Sequence, residues 1–150
     1  MERFIDISHI LLNQPLSDKK TVFAFAAARA KNLGICIDES DLAADLAARE
    51  AEIPTGLQDG FAIPHTKSPH VLKPAVLFIR TTDSIPWETL DDSDVNCIFV
   101  LLVPEADAGS THLRLMSKLA TCLLDKEFKA YLTNADSAEA LSSFIEERIS

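Results

Sequence analysis

"VNCIFVLLVP", residues 95–104, is apolar almost throughout. A strand with one face in water alternates apolar and polar positions, so a run without that alternation reads as a strand covered on both faces. Two shorter apolar runs precede it, "FAIP" at 61–64 and "AVLFIRT" at 75–81, each bounded by Pro, Asp or Gly and each suited to a neighbouring strand. The covering layers have to come from the rest of the chain, which is helical in pattern on either side of this region.

Upstream, "LSDKKTVFAFAAARAKNLG" (16–34) places Val22, Phe25, Ala26, Arg29 and Leu33 at helical spacing, with Ser17 as the expected N-cap and Gly34 as the stop. "DESDLAADLAAREAE" (38–52) predicts a second helix, capped by Asp38 or Ser40, with Leu42 and Leu46 on one face. Arg49 falls on that apolar stripe near the helix end. Downstream, "STHLRLMSKLATCLL" (110–124) carries Leu113, Met116, Ala120 and Leu123 at helical spacing, with Ser110 or Thr111 as N-cap. "KEFKAYL" (126–132) and "SAEALSSFIEERI" (137–149) predict two shorter helices. The expected fold class is α/β: a mixed β-sheet sandwiched between helices, as a single domain over residues 1–150.

Composition narrows the function. At 150 residues, 47% hydrophobic and 25% charged, the chain suits one compact domain, with no repeat, linker or low-complexity segment. The net charge is −9 and no basic cluster exceeds Lys19-Lys20, which argues against a nucleic acid partner. Cys36, Cys97 and Cys122 are odd in number and sit among apolar neighbours, so they read as buried free thiols in a reducing cytoplasm. The N-terminus mixes charge into its apolar residues too early for a signal peptide, and no apolar run approaches the ~20 residues of a membrane span. A soluble, cytoplasmic protein with no membrane insertion is expected.

The four histidines differ in context. His9 sits in a short terminal apolar segment and suggests packing. His70 follows Ser68-Pro69 and reads as loop. His65 follows Pro64 at an expected strand end, where open α/β sheets commonly present functional groups. His112 lies in the first turn of a predicted helix, where backbone N–H groups favour an anion. With Arg49, these two could converge on one site. A neutral imidazole is itself a nucleophile, a phosphoryl group is a natural cargo for it, and a guanidinium can hold phosphoryl oxygens through two parallel hydrogen bonds. An arginine at a helix end also commonly covers apolar surface with its stem, and both histidines could be ordinary packed residues. His65 and His70 lack the spacing and companions of a zinc site, so no metal is expected, nor any other cofactor.

"REAEIPTGLQDGFAIPHTKS" (49–68) resembles the active-site signature of type 2 enzyme IIA proteins, the fructose and mannitol class of the phosphoenolpyruvate-dependent phosphotransferase system. "SIPWETLDDSDVNCIFVLLVPE" and "THLRLMSKLATCLLD" extend the similarity, which runs from "IDISHILL" to the C-terminal helix. The resemblance implies a type 2 EIIA domain over 1–150 and a phosphocarrier with a covalent phosphohistidine intermediate. It implies that His65 is the phosphorylated nucleophile, with His112 and Arg49 beside it, and Nε2 as the phosphorylated nitrogen. The implied donor is the carrier HPr, and the implied acceptors are a IIB domain or regulatory protein targets. Three positions depart from the family pattern: Gln58 replaces a glycine, Asp59 an asparagine, and Thr66 stands where a small residue usually follows the histidine. They raise the loop geometry as a question, and they sustain the alternative of a noncovalent binding module. The free-standing chain and the tract "DSDVNCIFVLLVPEADAGSTHL" are similar to the nitrogen-regulatory IIA proteins, with a stand-alone fructose-type IIA as the other branch. Phe61 and Ile63 are candidate docking contacts.

Overall fold

A computed structural model describes residues 3–107 and 110–150. Its elements, in chain order, are β1 (Ile10–Gln14), α1 (Lys19–Asn32), α2 (Glu39–Glu52), β2 (Phe61–Ala62) and β3 (His65–Ser68). Then follow β4 (Ala75–Ile85), β5 (Val95–Pro104), α3 (Ser110–Cys122), α4 (Lys126–Asn134) and α5 (Ala138–Ile149). The five strands form one mixed sheet in the order β1-β4-β5-β2, with β3 also on β5. Among the described strands, only the β4–β5 pairing is antiparallel.

The apolar run at 95–104 becomes β5, and its residues divide by period two between two cores. Ile98, Val100 and Leu102 join Val22, Phe23, Leu42 and Leu46 under α1 and α2. Cys97, Phe99, Leu101 and Val103 join Leu115, Leu119, Phe128, Leu141 and Ile145 under α3, α4 and α5. β4 divides the same way, Leu77 and Ile79 to one side, Val76 and Phe78 to the other. The sheet is thus sandwiched between helical layers, the expected α/β class.

Local details depart from the sequence reading in instructive ways. α1 is capped by Asp18, one residue after Ser17: the Asp18 carboxylate accepts the Thr21 N–H at 2.8 Å while the Thr21 hydroxyl accepts the Asp18 N–H at 3.1 Å. Asp38 caps α2, and Gly34 ends α1 with φ +73°. Ser110 is already inside α3, so neither it nor Thr111 is the cap, and the preceding residues 108–109 lie outside those described. The buried face of α3 is Thr111, Leu115 and Leu119, whereas Leu113 is 68% exposed. Of the thiols, Cys36 and Cys97 are buried and Cys122 is half-buried; burial raises all three, Cys97 to about 11.

The predicted strand at 61–64 does not end at Pro64. Phe61 and Ala62 pair with Cys97 and Ile98, and His65 pairs with Leu101, three residues further on both strands. β2 and β3 are therefore one edge strand in unbroken register, interrupted where proline has no N–H to donate. The Pro64 carbonyl still accepts from Leu101 N–H at 3.0 Å. His65 opens the second half of this strand.

Glu50 anchors the chain between α2 and that strand. It is 5% exposed, and its carboxylate accepts from Thr55 N–H at 2.8 Å, from the Thr55 hydroxyl and from Trp87 Nε1–H at 3.1 Å, with Lys19 Nζ at 3.2 Å. A buried carboxylate costs free energy unless it is fully hydrogen-bonded and paired, and this one is. Its donors come from α1, the 53–60 loop and the segment before β5, so one side chain holds three stretches to α2. Gly56 lies in this loop because a Cβ there would collide with the Glu88 carbonyl and the Thr89 methyl. Glu50→Ala is expected to cost about 3 kcal/mol, because it strands three donors in a dry site. Urea unfolding would show it as a lower midpoint at unchanged slope; a loss below about 1 kcal/mol would contradict the anchoring role.

Candidate functional site

His65 is 8% exposed at the edge of the sheet, beside residues from both helical layers. α2 approaches from one side and α3 from the other. Between them lies a cavity of about 220 Å³, walled by Asp45, Arg49 and Glu52 of α2, His65 and Lys67 of β3, and His112 of α3. The structure thus brings His65, His112 and Arg49, named from sequence, to one place. A larger groove of about 720 Å³ runs between α1 and α2, but five of its eleven lining residues are alanines and Lys19 is already paired there with Glu50 and Glu88. It offers no nucleophile.

The geometry fixes the state of the His65 ring. Nδ1 lies 2.8 Å from the Ile63 carbonyl oxygen, which can only accept, so Nδ1 carries the hydrogen and Nε2 keeps its lone pair. Burial lowers its pKa below 6.5, with Arg49 and Lys67 adding to that effect, while the bond to Ile63 opposes it. The His112 ring sits 5.5 Å from that of His65, centroid to centroid. Burial lowers its pKa too, followed by the charges of His65, Lys67 and Arg49. Its Nδ1 is buried without a hydrogen-bond partner among the described residues.

Arg49 is half-buried and makes no ion pair with any carboxylate among the described residues, although Asp45 and Glu52 share its cavity. A partly desolvated guanidinium without an anion is a site prepared for one. The three groups form a pocket with a neutral nucleophilic nitrogen and a fork of donors.

The three unusual positions each have a physical place. Asp59 has φ +59°, a conformation that Asn and Asp adopt more readily than other side chains, and its carboxylate pairs with Lys129 of α4, away from the cavity. The Gln58 carbonyl accepts from Phe61 N–H at 3.2 Å, closing the turn into β2. Thr66 is paired with Leu102 in β3, where a β-branched residue fits and no positive φ is required. Phe61 and Ile63, named above as docking contacts, are 1% and 3% exposed in the α3–α5 core and are corrected to core residues. His9 is also internal, its Nδ1 3.1 Å from the Val76 carbonyl and 3.2 Å from that of Phe4.

Sequence reasoning missed Glu50, Lys67 and the group formed by Asp45, Ser68 and His70. The available signals were the four-residue spacing of Asp45 and Arg49 on a helix, and the two-residue alternation that relates Lys67 to His65. No helix among the described residues is long and apolar enough to cross a membrane, and no cluster of metal-ligating side chains occurs among them.

Comparisons with known proteins find relatives along nearly the whole chain. A family model described as "Phosphoenolpyruvate-dependent sugar phosphotransferase system, EIIA 2" matches residues 3–148. The fructose-specific EIIA component of Haloferax volcanii is 33% identical over 139 residues, 92% of this chain and 89% of that protein. The Bacillus subtilis fructose-specific EIIABC component is 36% identical over 97 residues, 65% of this chain but only 15% of that longer protein. The crystal structure of nitrogen regulatory protein IIA-Ntr from Neisseria meningitidis superposes with a TM-score of 0.86 at 34% identity, covering 93% of this chain and 94% of that one.

The lowered pKa makes the His65 ring neutral in the fold at pH values where the unfolded chain is protonated. Its contribution to stability is complete above the unfolded pKa and is lost as pH falls through the window between the unfolded and the depressed folded values. NMR titration is expected to show the Nδ1–H tautomer and a midpoint below 6.5. A midpoint above that value would mean that the ring is not desolvated as described.

Proposed function

Because this chain belongs to the EIIA 2 family of the phosphoenolpyruvate-dependent sugar phosphotransferase system, we propose that it accepts a phosphoryl group on Nε2 of His65 from an HPr-like phosphohistidine. The observation that carries this reading is the hydrogen bond from His65 Nδ1 to Ile63, which leaves Nε2 as the lone-pair nitrogen in the cavity of Arg49, a guanidinium with no ion pair among the described residues. In the transfer, the P–N bond of the donor breaks and the donor imidazole keeps the electron pair. A P–N bond forms to His65 Nε2, and the hydrogen stays on Nδ1, still donated to the Ile63 carbonyl, as the ring becomes cationic. Transfer of this kind passes through a loose in-line transition state, so the protein contributes positioning and charge. Arg49 would hold two phosphoryl oxygens, and His112, at the start of α3, would offer a further donor beside the backbone N–H groups of that helix. The step needs no metal, and the reading implies a cytoplasmic site of action.

We further propose the nitrogen-regulatory branch, in which the phosphorylation state is itself the output to protein targets. The end-to-end likeness to IIA-Ntr supports it. The comparable likeness to a stand-alone fructose-specific EIIA component supports a second reading, transfer onward to a IIB domain.

Incubation with phosphoenolpyruvate, enzyme I and HPr is expected to add one acid-labile phosphoryl mass, absent in His65→Ala. Arg49→Gln should slow acceptance about 100-fold, the scale for loss of a preorganised donor to developing charge. No mass gain while HPr is phosphorylated would reject the carrier and leave a noncovalent binding module. Adding a fructose-type IIB domain separates the branches: rapid discharge of phospho-His65 supports sugar uptake, and retention supports regulation.

A further inference from the structure

Asp45 and Arg49 lie four residues apart on α2 with the acid on the N-terminal side, the spacing at which a helix readily forms an ion pair. Both face the same cavity. Yet the Asp45 carboxylate is committed elsewhere. Its Oδ2 accepts the Ser68 hydroxyl and lies 2.7 Å from His70 Nδ1, while the Ser68 oxygen accepts the His70 backbone N–H at 2.9 Å. That second bond uses an oxygen lone pair and leaves the hydroxyl hydrogen for Asp45. Pro69, with its fixed φ, sets the turn that puts both donors on one carboxylate oxygen.

Resting on the phosphocarrier reading, we propose that Ser68 and His70 are positioning residues that hold Asp45 away from Arg49, keeping the guanidinium available to the phosphoryl group on His65. Without them, Asp45 is a carboxylate one helical turn from Arg49 in a partly dry cavity, and it would occupy the fork that the phosphoryl oxygens need. Glu52, three residues after Arg49, lines the same cavity without an ion pair to it among the described residues, and the Glu50 carboxylate is committed to Thr55, Trp87 and Lys19. The tract "SPH" at 68–70, which reads in sequence as a plain turn, thereby acts on the site three residues before it.

His70 works within an acidic surround. Asp45 and Asp41 of α2 face it, Asp41 at 3.8 Å from Nε2, and Asp38 at the cap of α2 adds to them. The hydrogen bond to Asp45 is the largest cause raising its pKa above 6.5, followed among favourable causes by the charges of Asp45, Asp41 and Asp38. Protonated His70 thus holds Asp45 most firmly, and the hold weakens as pH rises through that raised value.

The alternative is that the cluster merely braces β3 against α2, and the two roles predict opposite epistasis. The rate of phosphoryl acceptance from phosphorylated HPr would be measured on the full chain for wild type, H70Q, S68A and the double variant D45N/H70Q, with thermal melts to confirm folding. H70Q and S68A are expected to slow acceptance by about three- to tenfold, as a released carboxylate competes for Arg49. D45N/H70Q should recover the rate to within about twofold of wild type, because the competing charge is gone. A brace would give a double variant as slow as H70Q or slower, which overturns the proposal, as do wild-type rates in both single variants. If H70Q fails to fold, S68A and D45N/S68A carry the same comparison. Across rising pH, the wild-type rate should fall relative to that of D45N/H70Q; parallel profiles overturn the proposal. Wild-type protein that gains no phosphoryl group at all, with HPr phosphorylated, would reject the carrier reading and this inference with it. Slow variants on an active wild type test the inference alone.

Discussion

Burial of β5 on both faces is the constraint from which the rest follows. Ten consecutive positions with little polar character can be kept from water only by two layers, so helices have to lie above and below the sheet. The layers are built from opposite ends of the chain, α1 and α2 before the central strands and α3 to α5 after them. An edge strand is where elements from both layers can reach one side chain. His65 occupies that position, with Arg49 coming from the first layer and His112 from the second.

The site is accordingly a product of restraint on charges. Asp45, Glu50 and Asp59 all lie near the site or on its supporting loop, and each carboxylate is held by specific donors: Ser68 and His70, Thr55 and Trp87, and Lys129. Arg49 has no counterion among the described residues, and neither have Glu52 and Lys67, which line the same cavity. Charges tied into networks keep their geometry while a ligand exchanges, whereas free ones would rearrange to neutralise each other. The same logic applies to the His65 ring, whose orientation is held by a backbone carbonyl and so does not depend on solvent.

How far the sequence disclosed this can be judged element by element. β5 was legible because a long apolar run has few other uses, and α1 and α2 because their caps and periodicity agree. β3 was not: "HTKS" is polar, pairs on one side only, and reads as loop without its partner strand. The face of α3 was read in part: Leu123 is buried and Met116 packs at the core margin, but Leu113 and Ala120 face out, because they satisfy helical spacing as well as Thr111, Leu115 and Leu119 do and only packing against β5 chooses between them. For the site, the resemblance pointed to His65, Arg49 and His112, while their convergence is a tertiary fact. Asp45 and His70 are 25 residues apart, beyond the reach of any periodicity argument.

The loop beside the edge strand has a consequence for recognition. Residues 55–57 lie along the outer side of β2, Gly56 bridging to Ala62 and Thr55 accepting from Ile63 N–H at 3.1 Å. The Pro64 carbonyl faces the other way, accepting from Leu101 N–H, so the missing proline N–H lies on the β5 side and leaves the outer border unchanged. Up to Ile63 that border is therefore closed to an incoming β-strand, and a molecule arriving there meets side-chain surface and does not extend the sheet. Contact of that kind forms and separates without remaking a hydrogen-bond ladder.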